Sequence, residues 1–303
     1  MIRSLSKQIV IMFVAAFYLL TPQISFANQC TLESTYLPRS AWRHNTFIEL
    51  VCSPGAGMFS AVMSLLGALE IYQNRLASGV EITYGKDGEY GPYYDETVGA
   101  NWWEYYYEPI SVGIRNGHNI VATSDGKFNF PFSLIAVHRM SRKRAHYLLS
   151  THVHVKEHIQ KCVDDFVKRQ FNSNSVIGVH YRGTDKSTEA RRVSHKKFIK
   201  AINKVIAGLD TDDFQIFVAT DEQPFLDSLI QLFPEKVTFY EGMSRSVDEK
   251  PMHLGSPTPY KAGADALIDC LLLSRCNSIV RTTSHLSHVA TFFNPTIPVT
   301  LVK

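Results

Sequence analysis

Val176-Ile-Gly-Val-His-Tyr-Arg-Gly-Thr-Asp-Lys186 decides how this chain is read. A short apolar run, entered from the polar Asn172-Ser-Asn-Ser175, delivers His180, Arg182, Thr184, Asp185 and Lys186 in close succession. A continuous β-branched run bounded by polar residues predicts a strand buried on both faces, as in parallel sheets. Ligands of open parallel sheets bind just beyond the carboxyl ends of the strands, where this cluster falls. Taken singly, Asp185 also suits a helix cap and Arg182 a surface charge. A strand end used only for packing, however, does not concentrate a guanidinium, an ammonium and an imidazole.

The pattern recurs. Phe214-Gln-Ile-Phe-Val-Ala-Thr-Asp221 reads as a second apolar strand, ending in Thr220 and Asp221, and Asn277-Ser-Ile-Val-Arg-Thr-Thr-Ser-His285 as a third, running into Thr282, Thr283, Ser284 and His285. Between them lie helical patterns. Phe198, Ile199, Ile202, Val205 and Ile206 share one face, Pro224 to Phe233 behaves likewise, and Asp265 to Ser274 reads as a largely buried helix. Alternation of strand and helix predicts an α/β domain whose polar strand ends share one crevice.

His180-Tyr-Arg-Gly-Thr-Asp-Lys186, followed after Ser187 by Thr188-Glu-Ala190, resembles the His-Val-Arg-Arg-Thr-Asp-Lys and Thr-Glu-Ala signature of the α1,6-fucosyltransferases. Val218-Ala-Thr-Asp221 is similar to their Ala-Thr-Asp strand end. Ala266-Leu-Ile-Asp269 through Thr283-Ser-His-Leu-Ser287 is similar to their buried Asp helix and Ser-rich turn. These pieces cover the C-terminal half, in the family's order. Bacterial nodulation fucosyltransferases and, more distantly, protein O-fucosyltransferases belong to the same group. The resemblance implies an α/β fold of the GT-B glycosyltransferase type, two Rossmann-like domains facing a cleft. It further implies an inverting transferase that moves fucose from GDP-fucose to a glycan hydroxyl, with no metal in the chemistry and no cofactor beyond the GDP-sugar donor.

The resemblance also implies roles. Arg182 would hold the donor diphosphate, and its planar fork can donate two parallel hydrogen bonds to phosphate oxygens. Thr283, Ser284 and His285 open a segment, Leu286 to Phe293, that reads as a helix, and a helix start is an anion site. His180 and Asp269 would contact guanine, because a carboxylate can accept both N–H groups of guanine's amide and amino edge, which uracil lacks. Without the resemblance, Asp269 reads as a helix residue paired with Arg275 or Arg281. Lys186 and Asp221 complete the donor side. Glu189 matches the family's general base, and Lys186, Arg191 and Arg192 around it favour its proton-accepting form. The family has two residues between Lys and Thr-Glu-Ala where this chain has only Ser187, a deletion that displaces the carboxylate, so Asp185 is the alternative base.

The N-terminal half offers less. Phe47 to Gly57 reads as a strand entering a Gly-rich turn, with Met58 to Tyr72 as the buried helix after it. By the resemblance, Gly55 and Gly57 face the donor; by themselves they suit a tight turn, because the third glycine of a dinucleotide fingerprint would fall at Ser60. Asn101-Trp-Trp-Glu-Tyr-Tyr-Tyr-Glu-Pro-Ile110 is read as core or interdomain packing, with a sugar-binding platform as the alternative. Glu104 and Glu108 would share a face if the segment is helical. Residues 145–171 read as one long helix joining the domains, whose His152, His154 and His158 lack an acid or Cys to complete a metal set.

Met1-Ile-Arg-Ser-Leu-Ser-Lys7, the apolar segment to Leu20, and Ser25-Phe-Ala27 form a signal peptide or a short signal anchor over residues 1–27. An N-terminal α/β acceptor-side domain is expected over 28–171 and a C-terminal nucleotide-sugar domain over 172–303. The leader implies export or the secretory pathway, a Golgi or endoplasmic reticulum lumen if eukaryotic, and membrane contact only if it is retained. Export sits awkwardly with a donor made in the cytosol. A net charge of +3 gives no footprint for nucleic acid. The five cysteines fix no disulfide pairing, and Cys270 and Cys276 are read as core thiols. Two other functions stay open: transfer of another GDP- or UDP-linked sugar, and a secreted carbohydrate-binding protein on a decayed transferase scaffold. A Rossmann dehydrogenase is the weakest reading.

Overall fold

The computed structural model describes residues 46–51, 57–85, 93–115, 118–123, 139–183, 192–243, 245 and 258–303. Two sheets organise them. The first comprises β1 (Thr46–Val51), β2 (Gly79–Thr83), β3 (Ser111–Gly113) and β4 (His118–Thr123), in the order β3-β2-β1-β4. Here β1 lies parallel to both β2 and β4, and β3 closes one edge antiparallel to β2. Between β1 and β2 the chain forms α1 (Met58–Gln73), which is apolar on nearly every side and correspondingly buried.

The second sheet is entirely parallel. Its strands are β5 (Ser175–Tyr181), β6 (Phe214–Thr220), β7 (Val237–Thr238), β8 (Ser278–Arg281) and β9 (Val299–Leu301), in the order β7-β6-β5-β8-β9. From β5 the chain builds outward on one side through β6 and β7, then returns to build the other through β8 and β9. The order therefore reverses between β5 and β8, and that reversal is where open α/β sheets leave a crevice for ligands.

Helices α4 (His195–Ile206) and α5 (Gln223–Leu232) cover one face, where Phe198, Ile202, Phe225 and Leu229 pack on Ile177, Val179 and Val218. Helix α6 (Pro259–Ser274) covers the other. Its start is set by Thr258, whose side chain accepts from the Lys261 N–H, and by Pro259 in the first turn, which has no N–H to leave unsatisfied. Gly178 of β5 lets α6 come close: a Cβ there would lie 3.0 Å from Cys276 Sγ and 3.1 Å from Leu273 Cδ2. Cys270 and Cys276 are buried free thiols and Cys162 a half-buried one. Helix α7 (His285–Phe293) links β8 to β9 and packs on α1 and α6.

The long helix expected over 145–171 is two helices, α2 (Arg142–His152) and α3 (Glu157–Gln170). The break has a tertiary cause. Val155 pairs across an antiparallel bridge with Tyr107, the Glu108 N–H donates to His154 O at 2.8 Å, and the Lys156 N–H donates to Tyr106 O at 2.8 Å. The aromatic segment thus takes up backbone groups that a continuous helix would have used, and β-branched Val153 and Val155 hold the helix only weakly.

That segment is core. Trp102–Tyr105 forms a single 3-10 turn, and Trp102, Trp103, Tyr106 and Tyr107 are fully buried. Trp103 stacks on Tyr107 at 4.2 Å between centroids, Trp102 on Tyr84 at 4.8 Å, and Tyr106 on Tyr260 of α6 at 5.7 Å. Rings so enclosed present no face to a sugar. Because the turn ends at Tyr105, Glu104 and Glu108 do not share a helical face; Asn101 Nδ2 donates to Glu104 and Lys156 pairs with Glu108. Among the described residues, no helix is long and apolar enough to cross a membrane.

Candidate functional site

The site is built from strand ends of the second sheet. At the end of β5 the chain is held from both neighbouring strands. Thr220 Oγ1 of β6 donates to Tyr181 O at 2.8 Å, and the Gly183 N–H donates to Asp221 Oδ1 at 3.0 Å. On the β8 side the Arg182 N–H donates to Thr282 Oγ1 at 3.2 Å, and the Thr282 N–H to His180 O at 3.0 Å. Arg182 is therefore fixed at its backbone and half-buried at its side chain, over the reversal between β5 and β8. Asp221 spends one oxygen on the turn, so its part is bracing as well as charge.

Beside Arg182 lies the start of α7. Ser284 is its N-cap in extended conformation and makes no side-chain cap; the helix begins at His285. The first amide N–H groups of a helix have no intrahelical acceptor, and together with the helix dipole they favour an anion. Thr283 is exposed, Ser284 buried and His285 half-buried, so the turn presents both hydroxyl and amide donors near the end of β8.

His180 and Asp269 come to one level on the face covered by α6. Gly178 touches Leu273 across that face. His180 is two residues further along the strand, about 7 Å, and Asp269 is one turn back along α6, about 6 Å, so both advance to the same level. His180 is 4 % exposed and Asp269 1 %. Asp269 pairs with neither arginine considered from the sequence: Arg275 goes to Asp164 at 3.1 Å, and Arg281 lies at 3.4 Å from Ser284 O. Both Asp269 carboxyl oxygens are buried and accept no hydrogen bond from the described residues. Burial pushes this carboxyl up to about 8, against the pull of Arg245 and with a further push from Asp265. A buried orphan acceptor pair is costly unless a ligand's N–H groups occupy it.

Arg281 runs beneath α7 with Arg142 nearby, and burial pulls its guanidinium down to about 10. Gly57 caps α1 in ordinary extended backbone, φ −71°, and a Cβ there would meet only Tyr93 Oη at 3.7 Å, so its conformation does not require glycine. Gly55, Asp185, Lys186 and Glu189 lie outside the described residues. His152 contacts Gln73, and His158 contacts Tyr260 Oη. Among the described residues, no group of His, Cys, Asp and Glu is arranged to hold a metal ion.

The sequence alone assigns Glu222 and His195 no functional role. Glu222 is buried at the end of β6, with Arg192 Nη2 at 2.7 Å from one oxygen and His195 Nε2 at 3.0 Å from the other. A charged residue directly after Asp221 was the available signal, but nothing in its spacing points to those partners.

Comparison with known proteins bears on the family and the fold. The profile of the nodulation protein Z (NodZ) family matches residues 139–298. Among solved structures, a NodZ α-1,6-fucosyltransferase soaked with GDP-fucose is similar, with a TM-score of 0.55 and 20 % identity over 82 % of this chain and 92 % of that one. A NodZ α-1,6-fucosyltransferase co-crystallised with GDP gives 0.54 and 18 % over 85 % and 94 %. Fucosyltransferase NodZ from Bradyrhizobium gives 0.52 and 18 % over 84 % and 94 %. No curated protein sequence matches the chain. The two-sheet α/β architecture is thus that of the GT-B fucosyltransferases.

Proposed function

The chain belongs to the nodulation protein Z (NodZ) family, and from that premise we propose that it is a fucosyltransferase, transferring fucose from GDP-fucose to a glycan hydroxyl. The observation that carries the reading is the convergence of Arg182, the uncapped start of α7 and the buried pair His180 and Asp269 at one topological reversal. A nucleoside diphosphate sugar needs such a set: a fork for phosphate, amide donors for the second anionic group, and acceptors for a base edge.

The reaction is a displacement at the sugar's anomeric carbon. The acceptor hydroxyl oxygen forms the new bond from the face opposite the diphosphate, inverting the centre, while the bond to GDP breaks. GDP leaves with added negative charge, which Arg182 and the α7 start stabilise, and the hydroxyl proton passes to a carboxylate. Glu189 and Asp185 are the candidates for that base. The donor belongs to the second sheet and the acceptor approaches from the residues of 28–171. The leader sequence of 1–27 supports an exported enzyme.

The test is transfer from GDP-fucose, read beside thermal shifts with GDP and UDP. Arg182→Ala should abolish transfer with the fold intact, and Arg182→Lys should recover little, since an ammonium cannot reproduce the fork. Activity retained in both variants removes Arg182 from the diphosphate. Glycan binding by a protein indifferent to GDP overturns the enzyme reading.

A further inference from the structure

We propose that Glu222 is a positioning residue of the donor site, its carboxylate holding the Arg182–Gly183 turn in place. The inference rests on the donor reading of that turn and adds a residue to it.

Gly183 stands where the resembled signature carries its second arginine. The space a side chain would need is occupied: a Cβ at 183 would lie 1.8 Å from Glu222 Oε1 and 2.3 Å from its Cδ. An exposed glutamate would swing away at little cost. This one cannot, because its side chain is 4 % exposed and its oxygens are claimed by Arg192 at 2.7 Å and His195 at 3.0 Å. Moving the carboxylate would strand it, buried, away from Arg192 and His195, and leaving a buried carboxylate without its partners is strongly unfavourable.

The backbone around it is tied to the same turn. The Glu222 N–H donates to Thr220 Oγ1 at 3.2 Å, and that hydroxyl donates to Tyr181 O. Asp221, one residue earlier, accepts the Gly183 N–H. His195 also packs its ring edge against Tyr181 at 5.1 Å between centroids. Gly183, within the signature motif, and Arg192, after it, therefore converge on one carboxylate. Arg182 sits between that carboxylate and the Thr282 hydroxyl, so a shift of Glu222 displaces the base of the phosphate fork. A displacement of about 1 Å is enough to spoil such a contact.

GDP titration calorimetry at a temperature where every variant is folded, with the ligand-free melting temperature measured beside it, tests this. The wild type binds GDP if the donor reading holds; a wild type that does not bind removes that reading before any variant is considered. Given binding, Glu222→Gln, which keeps shape and loses charge, should weaken GDP by about tenfold, or about 1.4 kcal/mol. Gly183→Ala should weaken it comparably by driving a Cβ into the carboxylate. In a Glu222→Ala background the space is open, so adding Gly183→Ala should cost no further affinity, a non-additivity expected of groups sharing one space. Glu222→Gln binding GDP as the wild type does, with only a lower melting temperature, would show a role in fold support alone and overturn the proposal. Additive losses in the double variant would do the same.

Discussion

Asp269→Asn should make the ligand-free protein more stable and the nucleotide less able to stabilise it further. Burial raises the folded-state carboxyl from 3.8 to about 8. Below the lower value the group is protonated folded and unfolded, and contributes no pH dependence. Between the two values the folded state binds the proton and the unfolded state does not, so stability falls as pH rises, and above about 8 the loss is complete. At about 1.4 kcal/mol per pH unit the whole interval corresponds to about 6 kcal/mol, a ceiling. Measured gains from removing buried charge run at about 1–4 kcal/mol. Asparagine cannot ionise, so the variant's advantage should be small near pH 4 and reach that range at pH 8. At about 2–4 °C per kcal/mol for a domain of ordinary larger size, a melting-temperature series across pH resolves it. The second reading is GDP at about 100 times its dissociation constant, which should add roughly 2.7 kcal/mol to the wild type. An asparagine offers a donor where guanine also offers donors, so most of that increment should vanish. A variant less stable at pH 8, or an advantage independent of pH, would refute the buried-charge argument. An unchanged GDP increment would refute the base contact.

Two stability changes test the packing on either side. Gly178→Ala pushes a methyl against Leu273 and Cys276, and overpacking of this kind costs about 1–3 kcal/mol, read as a lower urea midpoint without a changed slope. Trp103→Ala empties a fully buried site stacked on Tyr107 and should cost about 3–5 kcal/mol in the same assay, whereas a ring serving only to meet a sugar would cost little.

Much of the second sheet was legible because its strands are buried on both faces. The apolar runs at β5, β6 and β8 have no polar alternation to confuse them, and the residues that break each run are the strand ends themselves. The α2–α3 break was not legible. It depends on Tyr107 and Val155 meeting across the fold, and the helical period on either side of Val153 gives no notice of that pairing. Glu222 was hidden for a similar reason. Its partners Arg192 and His195 come from the approach to α4 and its first residue, ten and more residues beyond the β5 strand end in sequence. Asp269 shows an intermediate case. Its burial could be read from an apolar helix, but the choice between an arginine partner and an open acceptor needed the path of Arg275 to Asp164.

The distribution of thiols gives the molecule a built-in clock. Cys162 is half-buried on α3, whereas Cys270 and Cys276 are enclosed, and burial pushes both of these thiols up, away from the reactive thiolate. Among the thiols of the described residues, an alkylating reagent in excess will mark Cys162 before Cys270 and Cys276, which react only when α6 lifts from β5. The slow rate then measures how often the layer carrying Asp269 opens, with the fast site as an internal control for reagent. A nucleotide that slows only the second phase would report its own occupancy with no acceptor present and no bond made.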